Sequence, residues 1–574
     1  MGKKRKTKRR HRIKAEPSGS QPGAGQNQQR SRADRKPFGG KYDVVFAVLP
    51  ALILILAILW DWTTRLGSDG WSGNEDISIF MSMGQRLAEG ILNWTRVFYD
   101  NKPLVVQFLF YPPALLGSFD VWYLMNMGGC LIGAYCVYAI VRDVFSEARG
   151  FSHNVGHYAG LYGGVFALYL FSASPLYPHH INTLPVCMSL AAAVLTKRYV
   201  ARSDASPKGM LLLACFCASL AIGIRPYFIP FVGLIPLWVS ITTQLDDESG
   251  GINYRSTARL FLVWNTCAGL FLLCVNVLPY VVAGEFNSFI TGLEMTRQKV
   301  TPSGLKWVLF ILTNIYKEMG PLSTLLFYSW MVFVALFLAG LAKRFYNRAV
   351  AFDLLILTII APFSILAMTF AKNFWDHYAQ FFLPFIGIGA VSLFVLIHDK
   401  RYLRFLFRYK AIAVVPALFF IYPATTELRT EIRRHYMMPT VSNLSALLDK
   451  HNLEKSDFLA PYNQYVHVKF NQHRHGFPNI SLSVDATAKA MTSKMFSKIN
   501  VPAKFRIPRN SLEYCQMLDS SGPKLLVFFK DTTFIGYRMP STHLAYCNLR
   551  NYDRYDLSDK ARLPSDIAYY FIRR

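Results

Sequence analysis

Long stretches of this chain alternate between apolar runs and short basic segments. Residues 44–60 and 261–284 each pass without a single charge. A bilayer core is crossed by roughly 20 apolar residues in a helix, and soluble cores rarely supply many such runs. Read this way, the pattern predicts spans near 43–60, 121–141, 157–174, 183–199, 209–224, 226–243, 261–283, 321–341, 351–370, 380–397 and 411–424. The expected fold class is an α-helical polytopic membrane protein of about eleven transmembrane helices. A small C-terminal α/β domain outside the cytoplasm follows the last span.

Two loops are long. The first, 61–120, carries a helical periodicity at Ile77, Phe80, Met81, Gly84, Leu87 and Ala88, ended by Gly90. Its second apolar stretch, 104–116, is expected to lie along the membrane surface and to be broken at Pro112 and Pro113. The other long loop, 285–320, reads as a surface helix followed by a flexible piece around Thr301, Pro302, Ser303 and Gly304. Residues 425–574 mix both periods. An amphipathic helix is predicted over 441–450 with Asn443 near its start, and strands are predicted over 524–529 and 457–462.

Composition sharpens the picture. Hydrophobic residues make up 52% of the chain and charged ones 17%, too apolar for an ordinary aqueous surface. The net charge of +27 would suggest a nucleic-acid partner in a soluble protein. Its distribution points elsewhere. Residues 1–41 hold fourteen Lys or Arg against two acids, Glu16 and Asp34, so this tail carries +12. Rich in Gly, Ser, Gln and Pro after its basic start, it cannot bury a core and is expected to be disordered in the cytoplasm, against anionic lipid rather than nucleic acid. Further Lys and Arg fall in 142–154, 197–208, 243–259, 343–348 and 398–410, at alternate ends of the predicted spans. By the positive-inside rule this places the N-terminus inside and residues 425–574 outside. No small-residue cleavage site follows 44–60, so that run is expected to remain as an anchor, with 42–424 as the membrane domain.

Seven of the nine cysteines (130, 136, 187, 215, 217, 267 and 274) fall in apolar runs and read as small core residues. Cys515 and Cys547 lie in the C-terminal domain and could pair if it faces an oxidising space.

The candidate chemistry concentrates in the first long loop. Glu75 and Asp76 stand just before the predicted surface helix, and Asp100 and Lys102 close the same loop. A carboxylate there can take a proton from a hydroxyl acceptor, and a cation can balance a phosphate. Equally, acids near a helix start simply favour its dipole. Arg225, in Gly223-Ile-Arg-Pro-Tyr, sits at or near membrane depth, where a charge calls for an acid or bound phosphate as partner, unless it snorkels to the interface. His377 and Tyr378 occur in Trp375-Asp-His-Tyr-Ala-Gln-Phe-Phe-Leu-Pro384, and Arg297 and Lys299 in the second long loop. As a lone histidine, His377 would be an interfacial hydrogen-bonding group.

An acid, an amphipathic helix ending in Gly, and then Asp100-Asn-Lys-Pro103 resemble the first-loop pattern of bacterial GT-C glycosyltransferases, relatives of the protein O-mannosyltransferases and the lipid A aminoarabinose transferase. Asp76 lies fourteen residues before Gly90, the spacing of that pattern, whereas Glu75 is one residue off. Leu104 stands where the pattern has a second Pro. The His377 segment resembles the family's His-Tyr…Leu-Pro segment, and Gly223-Ile-Arg225-Pro226 its Gly…Arg-Pro.

The resemblance covers 43–400 in layout. It implies an inverting transfer of a sugar from a polyprenyl-phosphate donor to an acceptor on the outer face of a bacterial inner membrane. In that scheme Asp76 is the base, with Glu75 as alternate. Lys102, Arg225 and His377 neutralise the leaving phosphate, supported by Asp100, Tyr378, Arg297 and Lys299. No cofactor is required by the sequence; a divalent metal stays open because some relatives use one. The acceptor is unspecified.

The competing class is a flippase or transporter of a lipid-linked sugar, although no internal repeat is visible. Phosphate loops of the GxxxxGK[ST] type, HExxH zinc motifs and paired CxxC motifs do not occur. His473 and His475 read as a surface turn, and Asn93-Trp-Thr95 as a sequon that matters only in a glycosylating compartment.

Overall fold

The computed structural model describes residues 51–56, 58–60, 62–63, 66, 75–92, 103–147, 153–172, 181–201, 208–246, 252–287, 289–290, 293, 348–349, 352–353, 355–356, 438–454, 457–459, 516, 519–520, 524–529, 550–555 and 567–574. These are mostly helical, with one small sheet. A short apolar helix, Ala51–Trp60, falls within the first expected span; after it come α1 (Glu75–Ala88), α2 (Leu104–Leu115), α3 (Phe119–Glu147), α4 (His153–Ser172), α5 (Thr183–Ala201), α6 (Lys208–Ile224), α7 (Ile229–Asp246), α8 (Tyr254–Asn276), α9 (Leu278–Val282) and α10 (Met438–Lys450). A 3-10 turn, Pro226–Phe228, joins α6 to α7.

Three helical segments are long and apolar enough to cross a membrane by length and composition: Phe119–Val144 of α3, Thr183–Ala201 and Tyr254–Asn276. Helices α4, α6 and α7 coincide with three more expected spans. The expected spans at 321–341, 380–397 and 411–424, and nearly all of 351–370, lie outside the described residues.

The span expected at 261–283 is corrected at both ends. Helix α8 starts at Tyr254, because Asn253 Oδ1 accepts the Ser256 backbone N–H at 3.1 Å and caps it. It stops at Asn276, and Pro279 then opens the separate helix α9. Leu262, Leu270 and Leu273 on α8 are more than half exposed, as suits a hydrocarbon surround rather than water.

Helices α3 and α4 pack backbone to backbone. A Cβ at Gly160 would lie 2.8 Å from the Tyr138 carbonyl oxygen, and one at Gly164 3.0 Å from that of Ala134. Cys130, Cys136, Cys187, Cys215 and Cys217 are buried as expected, but Cys274 is exposed and Cys267 half-buried, on the outward faces of α8. Cys515 and Cys547 lie outside the described residues.

A carboxylate that the sequence did not flag ties the other end of α5. Asp353, 4% exposed, accepts from Trp238 Nε1 at 2.8 Å, Thr242 Oγ1 at 2.7 Å and Lys197 Nζ at 3.3 Å. A buried acid is tolerated with such a full set of donors.

Helices α1 and α2 form a cap. The expected break at Pro112 and Pro113 does not occur: α2 runs through both, to Leu115. The two prolines sit in its last turn, each removing one backbone donor, and the helix ends two residues beyond them. The helix of the first loop starts at Glu75, so Glu75 and Asp76 occupy its first two positions instead of preceding it. Gly90, at φ 77°, ends it in the left-handed turn that only glycine adopts freely.

At Gly84 the two helices touch so closely that a Cβ would collide with the Phe110 carbonyl oxygen and lie 2.8 Å from Ala114 Cβ. Gly84→Ala is therefore expected to destabilise the folded protein by about 1–3 kcal/mol. Gly128→Ala, where nothing lies within 4 Å, should be neutral. Thermal unfolding of the two variants in detergent checks this, and equal midpoints would show that the α1–α2 contact is not tight.

In the C-terminal region, strands β1 (Phe458–Leu459), β2 (Leu525–Phe529), β3 (Tyr552–Tyr555) and β4 (Ile567–Arg573) form a sheet of order β1-β2-β4-β3. The first pair is parallel and the other two are antiparallel. The strand predicted over 524–529 is confirmed, and the one over 457–462 is seen at Phe458–Leu459. Strands β3 and β4 were not anticipated. Helix α10 begins at Met438, so Asn443 lies inside it and does not start it. Its Leu444, Leu447 and Leu448 share one buried apolar cluster with Phe458, Leu525, Val527 and Tyr570, and also with Ile77, Phe80 and Val105 of the cap.

His451 closes this domain. Its Nε2 is 3.2 Å from Tyr570 Oη, and its ring meets Tyr570 edge-on at 5.5 Å. Burial, helped by Lys450, lowers its pKa below the ordinary 6.5. The unfolded chain then binds this proton more readily than the folded one. The stability contribution is intact above pH 6.5 and declines as pH falls from there through the depressed value. His451→Gln should flatten the loss of thermal stability of the full-length protein between about pH 7.5 and about pH 5.5. An unchanged slope would exclude His451 as its source.

Candidate functional site

The site forms where α6 ends. Pro226 disfavours a helical conformation for the residue before it, so Arg225 leaves the helix in an extended conformation, φ −141° and ψ 97°. Its N–H still donates to the Ala221 carbonyl at 3.0 Å, and its own carbonyl accepts from Phe228 at 3.0 Å. The junction is therefore held from both sides. Arg225 is only 7% exposed, which excludes simple snorkelling. Its Nε donates to Asn182 Oδ1 at 2.7 Å. The partner at this bond is a neutral carboxamide.

Asn182 directly precedes α5, whose first residue continues the polar chain. Thr183 Oγ1 donates to Asn126 Oδ1 on α3 at 2.7 Å, and Asn182, Thr183 and Asn126 are all fully buried. Hydrogen-bonding capacity is left over around this chain. Trp122 Nε1, Asn126 Nδ2 and Asn276 Oδ1 are buried and make no hydrogen bond among the described residues. Sequence reading missed Asn126, Asn182 and Thr183. For Asn126 the available signal was a polar side chain inside an apolar run, which membrane spans seldom carry without a purpose; Asn182 and Thr183 stand at the polar edge of a span and carry no such mark.

The cap sits against the same junction. A Cβ at Gly223 would lie 2.8 Å from Val105 Cγ2 of α2 and 3.2 Å from Asn276 Nδ2 of α8. Gln107 fastens the turn after α1, donating from Nε2 to the Met83 carbonyl at 3.0 Å and to the Ile91 carbonyl at 2.8 Å. Leu104 at the start of α2 clusters with Tyr280 and Phe289, with Leu92 and Val277 packed on them. Burial lowers the pKa of Arg86 in the last turn of α1, and Glu89 opposes that shift.

Three segments from the sequence reading therefore converge: the start of α2, which follows Asp100 and Lys102; the Arg225 junction; and the chain through Phe289 that leads to Arg297 and Lys299. Asp100, Lys102, Arg297, Lys299, His377 and Tyr378 themselves lie outside the described residues. Glu75 and Asp76 are placed by their backbone alone, at the start of α1. Among the described residues no group of three or more His, Cys, Asp or Glu could hold a metal ion. Set against known proteins, the chain matches no family model and no curated protein.

Proposed function

We propose that this protein is an inverting membrane glycosyltransferase that moves a sugar from a polyprenyl-phosphate donor to an acceptor on the outer face of a bacterial inner membrane. The observation that carries this reading is the buried Arg225 at a fixed helix junction, covered by the cap whose first helix begins with Glu75 and Asp76. A leaving lipid phosphate needs a positive group in a low-dielectric setting, where it is worth far more than in water. The leftover donors of Trp122 and Asn126 suit sugar hydroxyl or phosphate oxygens beside it. The convergence of the α2 start and the 277–289 segment on this junction supports roles for Lys102, Arg297 and Lys299, with His377, Tyr378 and Asp100 completing the site. Asp76 takes the acceptor proton.

About eleven spans, with the N-terminus in the cytoplasm, fit this reading. The apolar cluster shared by the C-terminal sheet and the α1–α2 cap supports placing both on one side of the membrane.

Detergent-purified protein supplied with a radiolabelled polyprenyl-phosphate sugar tests the proposal. Release of polyprenyl phosphate is expected. Movement of intact lipid across liposomes without release would make the protein a transporter instead.

A further inference from the structure

At the end of the helices away from Arg225, basic and aromatic side chains of α3, α4 and α5 assemble on the outside of the bundle. Arg198 of α5 donates to Tyr135 Oη at 2.6 Å, and its Cζ lies 5.5 Å from the Tyr135 ring centroid. The Tyr135 and Tyr138 rings stack at 6.2 Å, and Arg142 Cζ lies 5.7 Å from the Tyr138 centroid. Tyr138 Oη meets His157 Nδ1 of α4 at 2.8 Å. The close α3–α4 approach permits this meeting, since a Cβ at Gly160 would lie 3.0 Å from Arg142 Cβ.

The charges do not cancel. Arg142 donates to Asp143 Oδ1 from Nε at 3.0 Å and from NH2 at 2.6 Å, which offsets its charge. Arg198 meets a phenol and a ring face and has no carboxylate partner among the described residues. A guanidinium offers five N–H donors, and this one makes a single hydrogen bond among the described residues. One positive charge is left at an exposed site, the complement of one phosphodiester.

The apolar surface beside it has the right length. Leu131, Tyr135, Tyr138 and Arg142 recur at helical spacing on α3, and Leu131, Ile132 and Tyr135 are 48%, 47% and 50% exposed. The eleven helical rises from Leu131 to Arg142 span about 16 Å, the depth of one leaflet of a bilayer core roughly 30 Å thick. Basic groups between helices at a membrane surface are natural sites for anionic headgroups.

We propose that Arg198 and Arg142, with Tyr135, Tyr138 and His157, bind the headgroup phosphate of an anionic phospholipid whose acyl chain lies along Leu131, Ile132 and Tyr135. The site is separate from the Arg225 junction and does not depend on sugar transfer; it depends only on α3–α5 lying in a membrane.

Delipidated full-length protein in detergent, titrated with short-chain phosphatidylglycerol and followed by native mass spectrometry, tests it. Saturable binding is expected for phosphatidylglycerol. Phosphatidylcholine and inorganic phosphate are expected to bind much more weakly. Arg198→Gln should weaken phosphatidylglycerol about fivefold. Asp143→Asn keeps the size of a half-buried side chain; by freeing Arg142 it should tighten binding by a similar factor. Equal binding of phosphatidylcholine would overturn the charge argument. Inorganic phosphate binding as tightly as the lipid would overturn the acyl track. If Arg198→Gln does not fold, an unchanged affinity in Asp143→Asn by itself rejects the site.

Discussion

Asp76→Asn is expected to lower sugar transfer by about 10²–10⁴-fold while the protein still inserts and folds. Asn keeps the size of Asp and most of its hydrogen bonding but cannot take a proton at neutral pH. The choice of Asp76 over Glu75 rests on its fourteen-residue spacing to Gly90. That anchor has a structural basis: α1 ends at Ala88 and Gly90 turns the chain at φ 77°, so the distance from acid to turn is a fixed length of helix. Glu75→Gln should do less, because one residue along a helix is a rotation of about 100°. Single-turnover transfer by purified variants reads both effects. An active Asp76→Asn beside a dead Glu75→Gln would move the base by one position.

Arg225 should be nearly as sensitive, and more informative about the donor. Arg225→Ala is expected to reduce donor use by about 10²–10³-fold, the usual loss when one group stabilising developing charge is removed. Arg225→Lys keeps the charge but loses the planar fork and the Nε donor that reaches Asn182, so an intermediate loss is expected. Asn182→Ala supplies the complementary measurement. With its carboxamide gone, the guanidinium is no longer held, and donor affinity should fall without a change in the base-dependent pH profile. A purely structural Arg225 would lower thermal stability in all three variants and leave the donor dependence of the surviving protein unchanged. That result would remove it from the site.

The local signals in the chain were short-range and therefore legible. Periodicity at Ile77, Phe80 and Met81 with Gly90 beyond marked α1, and the apolar run after Lys524 marked β2, because burial of a face repeats at the period of the element. Unbroken apolar runs located α3–α7 for the same reason. Where boundaries moved, local chemistry decided: the Asn253 cap extended α8 backwards, and α2 ran through Pro112 and Pro113 but ended two residues later. Strand β3, with Asp553 and Arg554 inside it, carries no apolar pattern of its own and exists by pairing with β4.

What the sequence by itself determined was the apolar, helical character of the chain, its basic segments, and the acids and cations worth testing. Only the tertiary structure decided which of these meet. Arg225 could be read as expensive to bury, but its partner Asn182 lies 43 residues away, and Asn126 lies another 57 from Thr183. Asp353, more than a hundred residues from Trp238 and Thr242, gave no sign of its place. Contacts at such separations are set by how helices pack around one another. A polar side chain's partner is fixed by that three-dimensional fit, and no one-dimensional period records it.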